Sequence, residues 1–134
     1  GAVYVTGLEP YVPLVADEEV GRFIGDLGRL RDACQLLARD RPYREFPASW
    51  VKRVLRRGGL TVTHVKFYPI RYRRHFVDNQ LQICRSRVQR FSDPVLAEAM
   101  GAHIARMQEE VRRLIDKHDG LPHGRDYVLR AVRP

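Results

Sequence analysis

The sequence predicts a single domain of the α/β class. Apolar residues switch between the two-residue period of strands and the longer period of helices, in the order strand, helix, helix, strand, helix, helix, strand. The chain has 134 residues, which is the size of one domain. Hydrophobic residues make up 44% of it, enough for a core, while no apolar run approaches the roughly 18 residues of a membrane helix.

Residues 1–7 are predicted to form a strand that is apolar on both faces, because Ala2 and Tyr4 alternate with Val3 and Val5. Such a strand is typical of the interior of a covered sheet. No proline or lysine protects the edge of this segment against pairing. We therefore expect the chain to self-associate through this strand unless a further strand covers it.

The first helix is predicted to begin at Asp17, where two acidic residues follow and suit the positive end of the helix dipole. Three glycines on one face allow either a close approach by a backbone or ligand, or a helix that tolerates them. These glycines are Gly21, Gly25 and Gly28. The buried face is predicted from an apolar stripe at helical spacing that consists of Val20, Phe23, Ile24, Leu27, Leu30, Cys34 and Leu37.

A short second helix is predicted over residues 49–57 and ends at Gly58 and Gly59. Residues 60–68 alternate as a strand, which Pro69 is expected to end. The inward side of the helix is expected to carry Trp50, Val51, Val54 and Leu55.

The last third of the chain predicts two more helices and a strand. The third helix covers residues 76–90, and the fourth starts after the capping residue Asp93 and ends near Gly120. Residues 126–132 are rich in β-formers and predict the third strand.

The chain is basic, with 24 lysine and arginine residues against 16 acidic ones and a net charge of +8. Arginine pairs well with phosphates and carboxylates. One hypothesis is therefore a nucleic-acid-binding α/β module without catalysis. Its patch would combine two arginine groups around Tyr68 and Tyr72, namely Arg53, Arg56 and Arg57 with Arg71, Arg73 and Arg74.

No catalytic, phosphate-binding or metal-binding motif stands out in the sequence. Cys34 and Cys84 are 50 positions apart, so we expect two separate reduced thiols in a cytoplasmic protein, with Cys34 in the core. The histidines are scattered and predict no metal site.

The segment from the second helix through Gly58, Gly59 and Leu60 to a strand ending at Tyr68 and Pro69 resembles a signature of class I S-adenosylmethionine-dependent methyltransferases. In that family a helix ends in glycine and an apolar residue before the sixth strand. The opening segment resembles the fifth strand, and residues 126–132 resemble the seventh, which runs antiparallel between the other two. The resemblance thus implies a partial Rossmann-like methyltransferase sheet.

Two departures from the family pattern matter. The glycine-rich turn after the first strand and the acidic residue after the second, which hold the cofactor in the family, have no counterpart here. Residues 1–134 would then be a single partial domain, the C-terminal half of a methyltransferase, with S-adenosylmethionine bound mostly by sequence upstream of Gly1. Residues 69–125 replace the family's short hairpin and are expected to form a helical insertion.

The resemblance implies a substrate site beyond the carboxyl ends of the two parallel strands. Glu9 would orient or deprotonate the nucleophile, with Pro10, Tyr68 and Arg71 nearby and Tyr11 and Tyr43 as pocket walls. A small or anionic substrate would be held by Arg29, Arg31 and Arg44.

Overall fold

The structure of the chain is a computed structural model that describes residues 1–10, 18–40 and 44–134. The α/β class is confirmed, with three strands and four helices in the described residues. In chain order the elements are β1 (Ala2–Leu8), α1 (Glu18–Leu37), α2 (Ala48–Arg57), β2 (Thr61–Tyr72), α3 (Arg74–Val88), α4 (Pro94–Lys117) and β3 (Leu121–Val132).

The strands form one sheet in the order β1-β3-β2. β3 is antiparallel to β1, with Val5 opposite Leu129. β2 contacts the other side of β3. The Thr63 hydroxyl donates to the Arg130 carbonyl, and the Arg125 guanidinium lies over the Phe67 ring. From the first contact to the second, the residue number increases on β2 and decreases on β3, so β2 is also antiparallel to β3. β1 and β2 therefore point in the same direction, with β3 between them.

Both long strands exceed their expected lengths. β2 continues through Pro69 to Tyr72, so the expectation that this proline ends the strand is wrong. β2 lies at the edge of the sheet, where a missing backbone N–H removes no ladder hydrogen bond. β3 begins at Leu121, five residues earlier than expected. β1 pairs only with the part from Asp126 to Val132, so the additional residues extend past the end of β1.

The chain divides into two compact units. In its described residues, the first, here called the sheet unit, comprises residues 1–10, 44–70 and 122–134, and the second, the helical unit, comprises residues 18–40 and 71–121. The sheet unit is built around one cluster in which α2 covers the sheet. Its buried members are Ala48, Tyr127 and Leu129, and Val5, Val51, Leu55, Val62 and Val65 pack against them.

α2 buries a narrower face than the sequence indicates. Ala48, Val51 and Leu55 follow one another at helical spacing and contact the sheet. Trp50 is 39% exposed and Val54 is 44% exposed, so the prediction that they point inward is wrong. A ten-residue helix that packs on one side only can bury a single stripe.

In the helical unit, α1 packs against α3 and α4, and α3 packs against α4. The predicted stripe of α1 is buried from Val20 to Cys34, but Leu37, the last residue of the helix, is exposed. A Cβ at Gly28 would meet nothing within 4 Å, and one at Gly25 would meet only the end of the Arg29 side chain. These two glycines are therefore tolerated in a continuous helix and mark no close approach.

Two further features of the helical unit bear on the sequence predictions. α4 begins as expected, because the Asp93 carboxylate accepts hydrogen bonds from the backbone N–H groups of Val95 and Leu96. α3 buries Val77, Leu81, Cys84 and Val88, whereas its Ile83 is exposed. No helix in the described part of the chain has both the length and the apolar character needed to cross a membrane.

Candidate functional site

The carboxyl end of β1 meets the start of α2 through two carboxylates. The Leu8 N–H donates to Glu45 Oε2 over 3.4 Å, and the Ala48 N–H donates to Glu9 Oε2 over 3.3 Å. The Glu9 N–H donates to the Arg125 carbonyl over 3.0 Å, which extends the pairing of β1 with β3 by one residue. Two half-buried acidic side chains thus stand within the same turn region of the sheet unit.

Glu9 performs the function of a helix cap. Pro47 occupies the capping position of α2 and offers no side-chain hydrogen bond, so the Glu9 carboxylate accepts the first free N–H instead. A negative charge there also suits the positive end of the helix. A carboxylate that accepts one N–H keeps further lone pairs that can accept a proton. The catalytic role of Glu9 stays a prediction, beside a structural role that sequence reasoning missed.

Of the other predicted pocket residues, Pro10 lies half-buried in the turn after β1. Tyr11 and Tyr43 lie outside the residues that the structure describes. Tyr68 is 42% exposed on β2, with the Lys66 ammonium 4.9 Å from its ring centroid. A cation over an exposed ring contributes modestly to stability and leaves the aromatic surface accessible.

Arg71 makes structural contacts at the end of β2. Its Nη1 donates to the carbonyl oxygens of Asp119 at 2.8 Å and of Gly120 at 3.1 Å. Gly120 has a φ of 73°, which suits glycine, and a side chain there would approach the Tyr72 carbonyl at 3.3 Å. Arg71 therefore stabilises the turn between α4 and β3. The sequence had predicted that it contacts a substrate.

The three arginines predicted to hold an anion are spread over both units. Arg29 pairs with Asp26 on the same helix at 3.1 Å, and Arg31 lies half-buried on α1. Arg44 belongs to the sheet unit and is exposed.

The basic patch of the rival hypothesis is only half present. Tyr72 is 8% exposed, with its ring centroid 4.4 Å from that of Phe76, so its prediction as a surface aromatic is wrong. Arg73 pairs with the Asp119 carboxylate at 2.7 Å, and Arg71 binds the same turn. The physical reason is the longer β2, which carries these residues into the sheet and the start of α3.

The other half of the patch, on α2, is exposed and has no acidic partner among the described residues. The side chains of Arg53, Arg56 and Arg57 form no ion pair or hydrogen bond with the described residues. Beside them, the rings of Phe46 and Trp50 stack with centroids 4.5 Å apart and planes inclined by 20°. Sequence reasoning missed this stack, although the spacing of four residues across a helix start is a signal for it.

The described residues hold no group of three or more histidine, cysteine, aspartate or glutamate side chains arranged to bind a metal ion. Comparison of the whole chain with known proteins adds no assignment. No protein-family model matches it, and no curated protein matches it.

Proposed function

We propose that this chain is the substrate-side part of an S-adenosylmethionine-dependent methyltransferase domain. The observation that carries the proposal is the direction of the strands, since β1 and β2 are parallel and antiparallel β3 lies between them. This is the arrangement of the fifth, sixth and seventh strands that the resemblance implies. The pair Gly58 and Gly59 between α2 and β2 also has the place that the family signature gives it.

Within this proposal, Glu9 stands where a substrate would be met. Ligands of open α/β sheets bind beyond the carboxyl ends of parallel strands, and Glu9 follows β1 directly. Its carboxylate would accept a proton from the nucleophile or orient it. Methyl transfer depends mainly on holding the nucleophile in line, so a single positioned acceptor is sufficient on this side.

The described residues do not fit the cofactor. The turn after β1 carries Glu9 and Pro10 and no glycine, whereas Gly58 and Gly59 precede a strand. A glycine-rich turn between a strand and a helix, which holds the cofactor in the family, is absent from the described part of the chain.

Calorimetric titration with S-adenosylmethionine tests the proposal on two samples, residues 1–134 and the product of the complete reading frame around them. We expect no micromolar binding by residues 1–134 and clear binding by the longer product. In the longer product, Glu9→Gln should lower methyl transfer and leave binding intact, because glutamine can still accept the Ala48 N–H. The control Asp126→Asn changes an exposed acid on β3. Micromolar binding by residues 1–134, or none by the longer product, would contradict the proposal.

A second candidate function is single-stranded nucleic acid binding by the sheet unit. The observation that favours it is the set of arginines on α2 without acidic partners, next to the stacked rings of Phe46 and Trp50. Arginine neutralises backbone phosphates, and exposed aromatic rings stack on unpaired bases. Both kinds of contact are available on the same short helix.

The test is the salt dependence of binding to a labelled single-stranded oligonucleotide, measured by fluorescence anisotropy. The variant in which Arg53, Arg56 and Arg57 are all replaced by glutamine loses three phosphate contacts. We expect the slope of log affinity against log salt to become shallower by roughly 2, since each contact on a single strand contributes about 0.7.

The matched control removes the same charge from the helical unit. Arg22, Arg74 and Arg112 each pair with a carboxylate there, and all three are replaced by glutamine. This control should leave the slope nearly unchanged. Equal losses in both triple variants would show that net charge alone governs binding, and this second candidate would be wrong.

A further inference from the structure

Arg125 lies next to Glu9 on the neighbouring strand. The register of β1 with β3 ends at the pair Leu8 and Asp126, and the Glu9 N–H then donates to the Arg125 carbonyl over 3.0 Å. The Arg125 side chain is half-buried, and it forms no ion pair or hydrogen bond with the residues that the structure describes. Sequence reasoning did not single out Arg125 and expected an anion at three other arginines, namely Arg29, Arg31 and Arg44.

The side chains of Glu9 and Arg125 lie on the face of the sheet that α2 covers. Leu129 and Tyr127 are buried there, and Arg125 follows them at the two-residue spacing of a strand. Glu9 reaches the same face, because its carboxylate accepts the Ala48 N–H at the start of α2. Opposite residues of antiparallel strands have Cβ atoms about 5 Å apart. A carboxylate and a guanidinium therefore lie close together at this end of the sheet, without an ion pair between them.

The Phe67 ring holds the guanidinium of Arg125 in place. The central carbon of the guanidinium lies 3.9 Å from the ring centroid, and a contact of this kind uses none of the N–H donors in a hydrogen bond to oxygen. The Nε atom is buried without a hydrogen-bond partner among the described residues, so the charge has lost part of its hydration. The two Nη groups also donate to no described residue and are not buried in this way, so they are available to an anion.

We propose that Arg125 binds the carboxylate of the methyl acceptor, a small monocarboxylic acid with a hydroxyl or amine that reaches Glu9. This role rests on the proposed function, in which Glu9 accepts a proton from the nucleophile or orients it. The two Nη groups match the two oxygens of a carboxylate, which they bind through a pair of charge-assisted hydrogen bonds. The acid then spans the two side chains, with its anionic group on Arg125 and its nucleophile at Glu9.

The charge balance favours a carboxylate over a phosphate ester. Arg125 supplies one positive charge beside the negative charge of Glu9. A carboxylate neutralises that positive charge, and the hydroxyl or amine of the same molecule donates to Glu9. A phosphate ester carries close to two negative charges, and the second would be repelled by the Glu9 carboxylate. We therefore expect carboxylates to bind more tightly than phosphate esters of the same shape.

The test is a titration of residues 1–134 with meta-hydroxybenzoate, followed by heteronuclear NMR of the backbone amides. The two comparison probes are meta-hydroxybenzamide, which has no charge, and meta-hydroxyphenyl phosphate. We expect saturable shifts of the Glu9 and Arg125 amides, and an affinity for the carboxylate at least about ten-fold higher than for either comparison probe. Absence of saturable shifts, equal affinity for the uncharged amide, or tighter binding of the phosphate would overturn the proposal.

Two substitutions that each remove one positive charge from the sheet unit test the assignment to Arg125. Arg125→Gln should weaken the binding of meta-hydroxybenzoate at least about ten-fold, because the charge-assisted hydrogen bonds are lost. The matched control is Arg133→Gln, which changes an exposed arginine after β3 and should leave the affinity nearly unchanged. Equal losses in the two variants would contradict the role of Arg125. The comparison of the three probes uses the unsubstituted chain, so it does not depend on whether either variant folds.

The titration contains no S-adenosylmethionine, so its failure can be distinguished from a failure of the proposed function. If the acid does not bind while the product of the complete reading frame binds S-adenosylmethionine, Arg125 does not hold the acceptor and the proposed function stands. If the acid binds while the complete product does not bind S-adenosylmethionine, the proposed function is wrong, and so is the role of the acid as methyl acceptor.

Discussion

The two units of this protein use similar side chains for different purposes. The described sheet unit has nine basic and three acidic side chains, a net charge of +6, whereas the helical unit has fourteen and twelve, a net charge of +2. Every ion pair between described side chains lies in the helical unit, from Arg22 with Glu110 to Lys117 with Glu19. Arginine therefore holds helices together in one unit and covers the surface of the other.

This contrast shows that a basic composition does not locate a binding surface. The net charge of +8 belongs to the whole chain, yet most of the surplus resides in the smaller unit. Two of the three acidic residues of the described sheet unit form no ion pair with a described arginine, since Glu9 accepts the Ala48 N–H at the start of α2 and Glu45 accepts the Leu8 N–H at the end of β1. Whether an arginine is paired with a carboxylate in the folded structure decides whether it stabilises the fold or can bind another molecule.

The largest expected effect concerns the core of the helical unit. Leu114 on α4 is 0% exposed, so Leu114→Ala leaves a cavity and should lower the free energy of unfolding by about 2–5 kcal/mol. Urea denaturation followed by far-ultraviolet circular dichroism measures this loss. The control is Leu36→Ala, because Leu36 on α1 is 63% exposed and its truncation should change stability by less than about 0.5 kcal/mol. Equal losses would contradict the described packing.

A smaller effect is expected in the sheet unit at Gly7. A Cβ there would lie 2.6 Å from the Tyr127 hydroxyl, which donates to the Phe46 carbonyl over 2.8 Å. Gly7→Ala should therefore cost about 1–3 kcal/mol of stability, since the ring must move and its hydrogen bond weakens. Urea denaturation followed by Trp50 fluorescence reports on this unit. Gly124→Ala is the matched control on β3, with nothing within 4 Å of its Cβ position.

The smallest expected effect is the pH dependence of the ion pair at the ends of α1 and α3. Hydrogen bonds from Arg90 and Arg87 hold the pKa of Asp40 at about 2, below its usual value of 3.8. Asp40 thus stabilises the folded state above pH 4, and this contribution disappears as the pH falls from 4 towards 2. Asp40→Asn should lower the melting temperature at pH 7, and its difference from the parent chain should shrink across that interval. A difference that is constant with pH would show that the carboxylate charge plays no part.

The sequence predicted the features that depend on local pattern. The presence of a strand at β1, the stripe of α1 from Val20 to Cys34 and the cap at Asp93 are confirmed, because each depends on residues close together in the chain. The pattern of β1 is typical of a covered interior strand, yet Val3 and Tyr4 are exposed on an outer strand of the described sheet. Contacts between distant residues were missed. Glu9 contacts Ala48 across 39 positions and Tyr127 contacts Phe46 across 81, and no local spacing records either contact. Tyr72 was misplaced because the edge position of β2, which tolerates Pro69, is a property of the assembled sheet.

The unlike edges of the sheet limit how copies of this chain can assemble. Pro69 removes one donor from the β2 edge. On β1 the Leu8 N–H donates to Glu45, but the backbone groups of Ala2–Thr6 that face away from β3 have no partner in the described part of the chain. If two copies pair through β1, each uses the one edge of its sheet that is open to pairing. The β2 edge of each copy, which contains Pro69, then prevents the addition of further copies. Association by this route gives a closed, two-fold symmetric pair and no fibre.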